Sequence, residues 1–198
     1  MKTVFFDVDT QIDFLFPAGA LYVPGAHDIV KTLGSLTRFA TAHRLPIIST
    51  ADAHAEDDPE FKTWKPHCVT GTAGQQKARN TLLNQPLVLS SVHGSLDAML
   101  SRIPGAAQII VEKQMLDCFS NPNLRPLLNL VGADRYVVYG VATEHCVRCA
   151  AFGLLETGAQ VELVTDAIKS LSASDEHDVL QRFQGQGGLL TTSAVVTA

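Results

Sequence analysis

The sequence predicts a single α/β domain, residues 1–198, in which helices cover both faces of a mostly parallel, Rossmann-like central sheet. Short runs of β-branched and aromatic residues alternate with longer segments of helical periodicity, which is the pattern of β-α units. The chain has 198 residues, of which 46% are hydrophobic and 18% charged, enough for one domain with a substantial core. We therefore expect three layers, α/β/α.

Seven segments are predicted as strands because each is a short apolar run bounded by turn residues. In chain order they are Thr3–Asp9, Leu45–Ala51, Leu87–Ser90, Gln108–Val111, Arg135–Gly140, Gln160–Thr165 and Leu189–Thr192. Four segments have the apolar spacing of helices, namely Ala26–His43, Leu124–Val131, Thr143–Thr157 and Ser174–Gln186. The third ends at Gly158, which suits a left-handed cap. The stretch from Asp52 to about Gly74 is irregular, and a loop of that length is usually functional.

Charge and hydropathy limit the classes of partner. The formal net charge is −5 and no basic run occurs, so neither nucleic acid nor an anionic membrane is an expected partner. Asp7 interrupts the N-terminal apolar run, and no stretch approaches the roughly 20 apolar residues that span a bilayer. We expect a cytoplasmic homo-oligomer that acts on a small molecule, with its four cysteines free rather than in disulfides.

Reactive side chains follow several of the predicted strands. They are Asp9 and Asp13 after the first strand, Asp52 and His54 after the second, Lys113 after a middle strand, and Cys146 beyond the strand that ends at Gly140. The carboxyl ends of parallel strands face one crevice, where α/β proteins bind their ligands. We therefore predict that these side chains converge on one site.

Cys146 is the predicted nucleophile because it falls in the first turn of a helix. There the helix dipole and free N–H groups favour the thiolate and can stabilise an oxyanion. Two alternatives remain open at this point. Cys146 can be a small buried hydrophobic residue, or it can form a redox or metal-binding pair with Cys149. For Cys149 itself we favour core packing.

Asp13 and Lys113 are the predicted partners of this thiol. Between Phe14 and Phe16, the Asp13 carboxylate is expected to have a raised pKa, which suits it to take the thiol proton and return it to a leaving amine. Lys113 is expected to hold Asp13 ionised and to favour the thiolate. A solvated loop carboxylate and a surface lysine are the alternatives.

The irregular stretch offers metal ligands. Asp52, His54 and His67 supply one carboxylate and two imidazoles, which are ligands for zinc, iron or manganese and leave coordination positions open. His93 is the alternative third ligand. Capping and loop hydrogen bonds are the other interpretation of these residues.

Together these segments resemble the isochorismatase-like cysteine hydrolases, and within them the nicotinamidase branch. The resemblance rests on five stretches in order: Asp9-Thr10-Gln11-Ile12-Asp13-Phe14, residues 16–25, Asp52 and His54 followed by residues 64–74, Lys113, and Gly140-Val141-Ala142-Thr143-Glu144-His145-Cys146-Val147. It implies an isochorismatase-like hydrolase fold. It also implies that Asp13, Lys113 and Cys146 are a catalytic triad and that Asp52, His54 and His67 hold a divalent metal, with zinc favoured.

The resemblance further implies a cis peptide at Val141–Ala142, an oxyanion hole from the N–H groups of Ala142 and Cys146, and a thioester intermediate. The implied activity is hydrolysis of nicotinamide to nicotinic acid and ammonia, with another small amide as the alternative. The implied substrate pocket is formed by Phe14, Trp64, Phe119, Val141 and His145. His145 stands where the family commonly has Tyr.

Two other functions are compatible with parts of the sequence. The opening Phe5-Phe6-Asp7-Val8-Asp9-Thr10 also looks like the first motif of haloacid-dehalogenase-type phosphatases, with Asp7 as nucleophile, Asp9 as acid and magnesium as cofactor. The glycine expected after the second aspartate is absent. A non-catalytic binding or redox protein that uses Cys146 and Cys149 is the last alternative.

Overall fold

A computed structural model describes all residues, 1–198. Its centre is a seven-stranded sheet in which every neighbouring pair of strands is parallel. The strands are β1 (Thr3–Val8), β2 (Ile47–Asp52), β3 (Leu87–Leu89), β4 (Gln108–Lys113), β5 (Arg135–Val141), β6 (Gln160–Lys169) and β7 (Leu189–Thr191). Their order across the sheet is β3-β4-β2-β1-β5-β6-β7. The predicted fold class is confirmed.

Six helices accompany the sheet. They are α1 (Ile12–Leu15), α2 (Ala26–Ala42), α3 (Leu124–Val131), α4 (Arg148–Leu155), α5 (Ala173–Gly185) and α6 (Ser193–Val196). Most predicted bounds differ from the structure by one or two residues, and β6 extends four residues further than predicted, to Lys169. The predicted helix Thr143–Thr157 begins with a π-helical turn at Thr143–Val147, and β4 extends two residues further than predicted, to Lys113. None of the helices combines the length and hydrophobicity that crossing a membrane requires.

The two faces of the sheet carry separate cores. Along β1, Val4 and Phe6 pack into the core that contains α3 and α4, whereas Phe5 packs into the core that contains α2. This alternation follows from the period of two residues along a strand. We call the two sides the α4 face and the α2 face. On α2, the buried Ile29, Leu33, Leu36 and Ala40 recur at helical spacing and cover the sheet.

The strand order reverses at β1. From β1 the chain passes to β2 on one side, and later to β5 on the other. Such a reversal opens a crevice at the carboxyl ends of the strands because successive connections leave in opposite directions. The crevice therefore lies beyond Val8, Asp52, Lys113 and Val141, the last residues of β1, β2, β4 and β5.

Candidate active site

The fully buried Lys113 is the centre of the site. Its ammonium forms an ion pair with Asp9, with 2.9 Å between Nζ and Oδ2, and a second ion pair with Asp52 Oδ1. The same Nζ lies 3.5 Å from Cys146 Sγ. The ends of β1, β2, β4 and β5 thus place two carboxylates and a thiol around one cation.

Burial and charge determine the ionisation of these groups. Burial disfavours the charged form of Lys113, but Asp52 and Asp9 outweigh it and raise the lysine pKa well above its usual value. Burial also raises the pKa of Asp9, an effect that Lys113 opposes. For Asp52 the balance reverses, because the Lys113 charge and the neighbouring imidazoles of His54 and His67 overcome desolvation and lower its pKa. Asp52 is therefore the stable anion, and Asp9 is the carboxylate that can take a proton.

Cys146 lies in the π-helical turn at the end of β5. Burial raises the pKa of its thiol well above the usual value, while Lys113 lowers it. The charge of Asp9 also raises the pKa of this thiol. Asp9 Oδ2 forms an ion pair with Lys113 but accepts no hydrogen bond, so this oxygen can still take the thiol proton. Because burial favours the protonated thiol, its attack on a carbonyl requires a nearby base that takes the proton.

The backbone before Cys146 is unusual. The peptide bond between Val141 and Ala142 is cis. The carbonyl of Ala142 accepts hydrogen bonds from the N–H groups of His145 and Val147, whereas the N–H of Ala142 donates to no group in the protein. Ala142 and Cys146 both line the cleft described below. A free N–H beside a nucleophile can stabilise negative charge on a carbonyl oxygen.

Asp13 does not join Lys113 and Cys146, so the prediction that it lies with them is wrong. Its Oδ1 accepts a hydrogen bond from the N–H of Ala20 at 2.9 Å, and its Oδ2 accepts one from the N–H of Cys68 at 2.7 Å. Gly74 packs so closely that a Cβ there would lie 2.1 Å from Oδ2. Asp13 therefore fastens the loop around residue 68 to α1, and Asp9 stands where Asp13 was expected.

Asp52, His54 and His67 form the predicted cluster, in which the potential ligand atoms lie within 4.8 Å of one another. His54 Nδ1 lies 3.0 Å from Asp58 Oδ2, and His67 Nδ1 lies 2.7 Å from the carbonyl oxygen of Lys65. These acceptors hold the proton on Nδ1 and turn both Nε2 atoms towards Asp52, at 3.7 and 3.6 Å. His54 Nε2 is buried without a hydrogen-bond partner. A carboxylate and two such imidazoles fit a divalent transition metal.

A cleft of about 400 Å³, counted to its open mouth, lies over this cluster and Cys146. Of the predicted pocket residues, Phe14, Trp64, Val141 and His145 line the cleft, and the Trp64 and His145 rings meet edge to face at 5.2 Å. Phe119 does not line it. Its ring packs against Gly153 of α4, where a Cβ would lie only 2.1 Å away, so its prediction as an aromatic wall is wrong.

Sequence reasoning missed several lining residues. They are Leu21, Val23, Glu60, Leu116 and Leu171. Glu60 introduces a carboxylate whose pKa is raised by burial and by the charge of Asp52. Four of them come from irregular segments and Glu60 from the short 3₁₀-helix Pro59–Lys62, where no periodicity indicates which side chain points inward. The only sequence feature that could have indicated Glu60 is the acidic pair Asp58-x-Glu60 shortly after His54.

Two alternative assignments do not match the structure. The alternative metal ligand His93 is exposed and lies outside the cluster of Asp52, His54 and His67. Asp7, the nucleophile of the phosphatase interpretation, has no exposed surface and is paired with Lys77. A phosphate ester therefore has no access to Asp7.

Comparison with known proteins gives consistent matches. The family model described as the isochorismatase domain matches residues 95–195. A nicotinamidase/pyrazinamidase of Mycobacterium tuberculosis is 27% identical over 182 residues, which cover 84% of this chain and 86% of that protein. A maleamate amidohydrolase of Pseudomonas putida is 24% identical over 173 residues, or 86% and 73% of the two chains.

A solved structure extends the similarity to the whole fold. The crystal structure of a pyrazinamidase of Pyrococcus horikoshii in complex with zinc aligns with a TM-score of 0.80 and 26% identity. The alignment covers 97% of this chain and 99% of that one. The similarity therefore includes both edges of the sheet and the irregular segments that line the cleft.

Proposed function

The chain belongs to the isochorismatase family, and from this premise we propose that it is a metal-assisted cysteine amidohydrolase that converts nicotinamide to nicotinic acid and ammonia. One observation carries the proposal: Lys113 brings the Cys146 thiol and the Asp9 carboxylate together beneath a small cleft. The nicotinamidase and pyrazinamidase relatives support the choice of an aromatic amide. Hydrolysis of another small amide is the alternative.

In the proposed reaction, Asp9 takes the proton of Cys146 and the thiolate attacks the carbonyl carbon of the amide. The N–H groups of Ala142 and Cys146 stabilise the oxyanion. Asp9 then gives its proton to the leaving nitrogen, so that the C–N bond breaks, ammonia departs and a thioester remains. Water attacks the thioester, again with Asp9 as proton acceptor, and releases the acid and the thiol.

We propose that Asp52, His54 and His67 hold the metal, with zinc favoured and iron or manganese as alternatives. When bound, a metal ion there supplies a Lewis acid that orients a polar atom of the substrate. Asp52 would serve both halves of the site, since one carboxylate oxygen faces the two imidazoles and the other faces Lys113. In this way, Asp52 fixes the position of Lys113 relative to the ligand cluster.

The decisive experiment measures ammonia release from a panel of amides that includes nicotinamide, pyrazinamide and maleamate. We expect nicotinamide and pyrazinamide to be hydrolysed, because the lining of the cleft is mostly apolar. If only other amides are hydrolysed, the substrate assignment fails and the amidohydrolase assignment stands. If no amide releases ammonia with the metal-loaded protein, both assignments fail.

Metal removal is expected to reduce this activity. We expect a chelator to lower ammonia release at least about tenfold, and added zinc to restore it, because ligand clusters of this type bind zinc tightly. His54→Ala and His67→Ala should each reduce the zinc content measured by atomic emission. His93→Ala is the matched control, since His93 is exposed and outside the cluster. Full activity in metal-free protein would contradict the proposed role.

The acid limb of the pH profile tests the proton acceptor. Asp9 must be ionised to take the thiol proton, and burial raises its pKa above the usual 3.8. Since the active form is lost as pH falls through that raised pKa, we expect kcat/KM to decline with a midpoint above 3.8. Protonation of the metal ligands would also reduce activity, but its midpoint shifts with zinc concentration. A zinc-independent midpoint at or below 3.8 would exclude Asp9.

A further inference from the structure

A second buried ion pair is formed by Lys77 and Asp7, the residue two positions before Asp9. This pair takes no part in the proposed reaction. Lys77 Nζ lies 2.9 Å from Asp7 Oδ2, and both side chains are at most 2% exposed. Asp7 Oδ2 also accepts a hydrogen bond from Ser49 Oγ at 3.1 Å. Neither residue contacts Cys146 or lines the cleft. A buried charge pair is costly to maintain, so its position invites a functional explanation.

The pair lies on the opposite face of the sheet from the catalytic carboxylate. Asp7 is bonded to Ser49, whereas Asp9 Oδ1 accepts a hydrogen bond from Thr50 Oγ1 at 2.6 Å. Ser49 and Thr50 are consecutive in β2, so their side chains point to opposite faces. A regular strand would place Asp7 and Asp9, two residues apart, on the same face. Asp9 must therefore be turned out of the strand pattern to reach Lys113.

The turn is made by the backbone of Asp9, which has a φ of 48°. This left-handed conformation is uncommon for residues other than glycine and persists only where the surroundings enforce it. If Asp9 relaxed to an extended conformation, its side chain would point to the α2 face, away from Cys146. The position of the proposed proton acceptor thus depends on the residues that hold this conformation.

Thr10, the next residue, links that conformation to the ion pair. Its Oγ1 accepts a hydrogen bond from Lys77 Nζ at 2.9 Å, donates to Asp7 Oδ2 at 3.2 Å, and lies 2.7 Å from Thr81 Oγ1. The carbonyl of Thr10 accepts a hydrogen bond from the N–H of Ala78 at 2.8 Å. Asp7, two residues before Asp9, and Thr10, directly after it, are therefore both fixed to Lys77 or its neighbour.

We propose that Asp7, Lys77 and Thr10 are positioning residues that keep Asp9 left-handed and so direct its carboxylate to the catalytic face. This inference rests on the proposed function of Asp9 as proton acceptor. The pair acts through the backbone on either side of Asp9 and touches no reacting atom.

Removing the Thr10 hydroxyl is the first test. We expect Thr10→Val to lower kcat for nicotinamide by about 10- to 100-fold, because small misplacements of a catalytic group have effects of this size. KM and zinc content should change less than about twofold, since the cleft and the metal ligands are elsewhere. Thr10→Ser, which keeps the hydroxyl, should retain kcat within about threefold. Wild-type kcat in Thr10→Val would overturn the proposal.

A charge-free replacement separates positioning from stability. Lys77→Met alone leaves Asp7 buried without its cation and is expected to lower the melting temperature and kcat. Asp7→Leu combined with Lys77→Met removes both charges, and such apolar replacements commonly restore stability. We expect the double variant to recover melting temperature while kcat stays low. Recovery of both would show that the pair is only structural and would overturn the proposal.

Alkylation of Cys146 provides a readout that needs no substrate. When Asp9 turns away, the thiol loses a neighbouring negative charge, so Cys146 should ionise at lower pH. We expect the midpoint of iodoacetamide labelling, followed on the Cys146 peptide by mass spectrometry, to shift to lower pH in Thr10→Val and not in Thr10→Ser. An unshifted midpoint in Thr10→Val would contradict the proposal. Absence of amide hydrolysis by the wild type would instead refute the proposed function, and the labelling result would still report the position of Asp9.

Discussion

Replacement of Cys146 by alanine is expected to lower amide hydrolysis at least about 1,000-fold, because no other nucleophile can form the acyl-enzyme. Lys113 Nζ approaches only this thiol among the four cysteines. The zinc content should remain that of the wild type, since none of the proposed ligands is changed. The measurement is ammonia release under saturating zinc, with protein concentration corrected for the folded fraction.

Cys149→Ala is the matched control. Cys149 is the other member of the Cys146-Val147-Arg148-Cys149 pair, but it lies on α4, where it is partly buried and has no contact with Lys113. We expect this variant to keep activity within about threefold. Equal loss in both variants, together with a Cys146–Cys149 disulfide after mild oxidation, would favour the redox interpretation. Unchanged hydrolysis in Cys146→Ala would refute the nucleophile.

The sequence was sufficient to predict the sheet and the ends of its strands. Alternating β and α segments require parallel strands, and parallel strands share one carboxyl edge, so Lys113 and Cys146 could be placed in one crevice before any coordinates. Residue chemistry suggested a metal site of Asp52, His54 and His67 with His93 as the alternative third ligand, and the family resemblance implied the set with His67. Placing these residues at one site depends on the parallel arrangement of the strands, which the alternation of strand-like and helix-like segments indicates.

Side-chain direction within turns was not predictable in the same way. Asp9 and Asp13 both follow β1, and a period of two residues would place the side chain of Asp9 on the α2 face. Only the left-handed backbone at Asp9, enforced by distant Lys77, reverses that direction. Phe119 illustrates the same limit, since its ring fills the space above Gly153 and not the cleft. Contacts between segments far apart in the chain decide such cases.

The Asp9→Asn and Asp13→Asn variants separate the two candidate proton acceptors. We expect Asp9→Asn to lower kcat by about 100- to 10,000-fold, the usual contribution of a positioned acid-base group. The remaining activity should have lost the acid limb assigned to this carboxylate. Asn is nearly isosteric and can still accept the hydrogen bond from Thr50, but it removes one of the two charges that pair with the buried Lys113, so the melting temperature should also fall and kcat is compared per folded protein. The measurement is a single-turnover rate with nicotinamide across pH.

Asp13→Asn should give the opposite pattern. The carboxylate of Asp13 accepts from two backbone N–H groups, one on each oxygen, and an amide can accept through only one of those atoms. The unpaired buried N–H should lower the free energy of unfolding by about 1–3 kcal/mol, while kcat of the folded fraction stays within about threefold. Loss of kcat in Asp13→Asn together with an active Asp9→Asn would restore Asp13 as the proton acceptor. It would also require a rearrangement around Asp13, because the N–H groups of Ala20 and Cys68 now occupy its two oxygens.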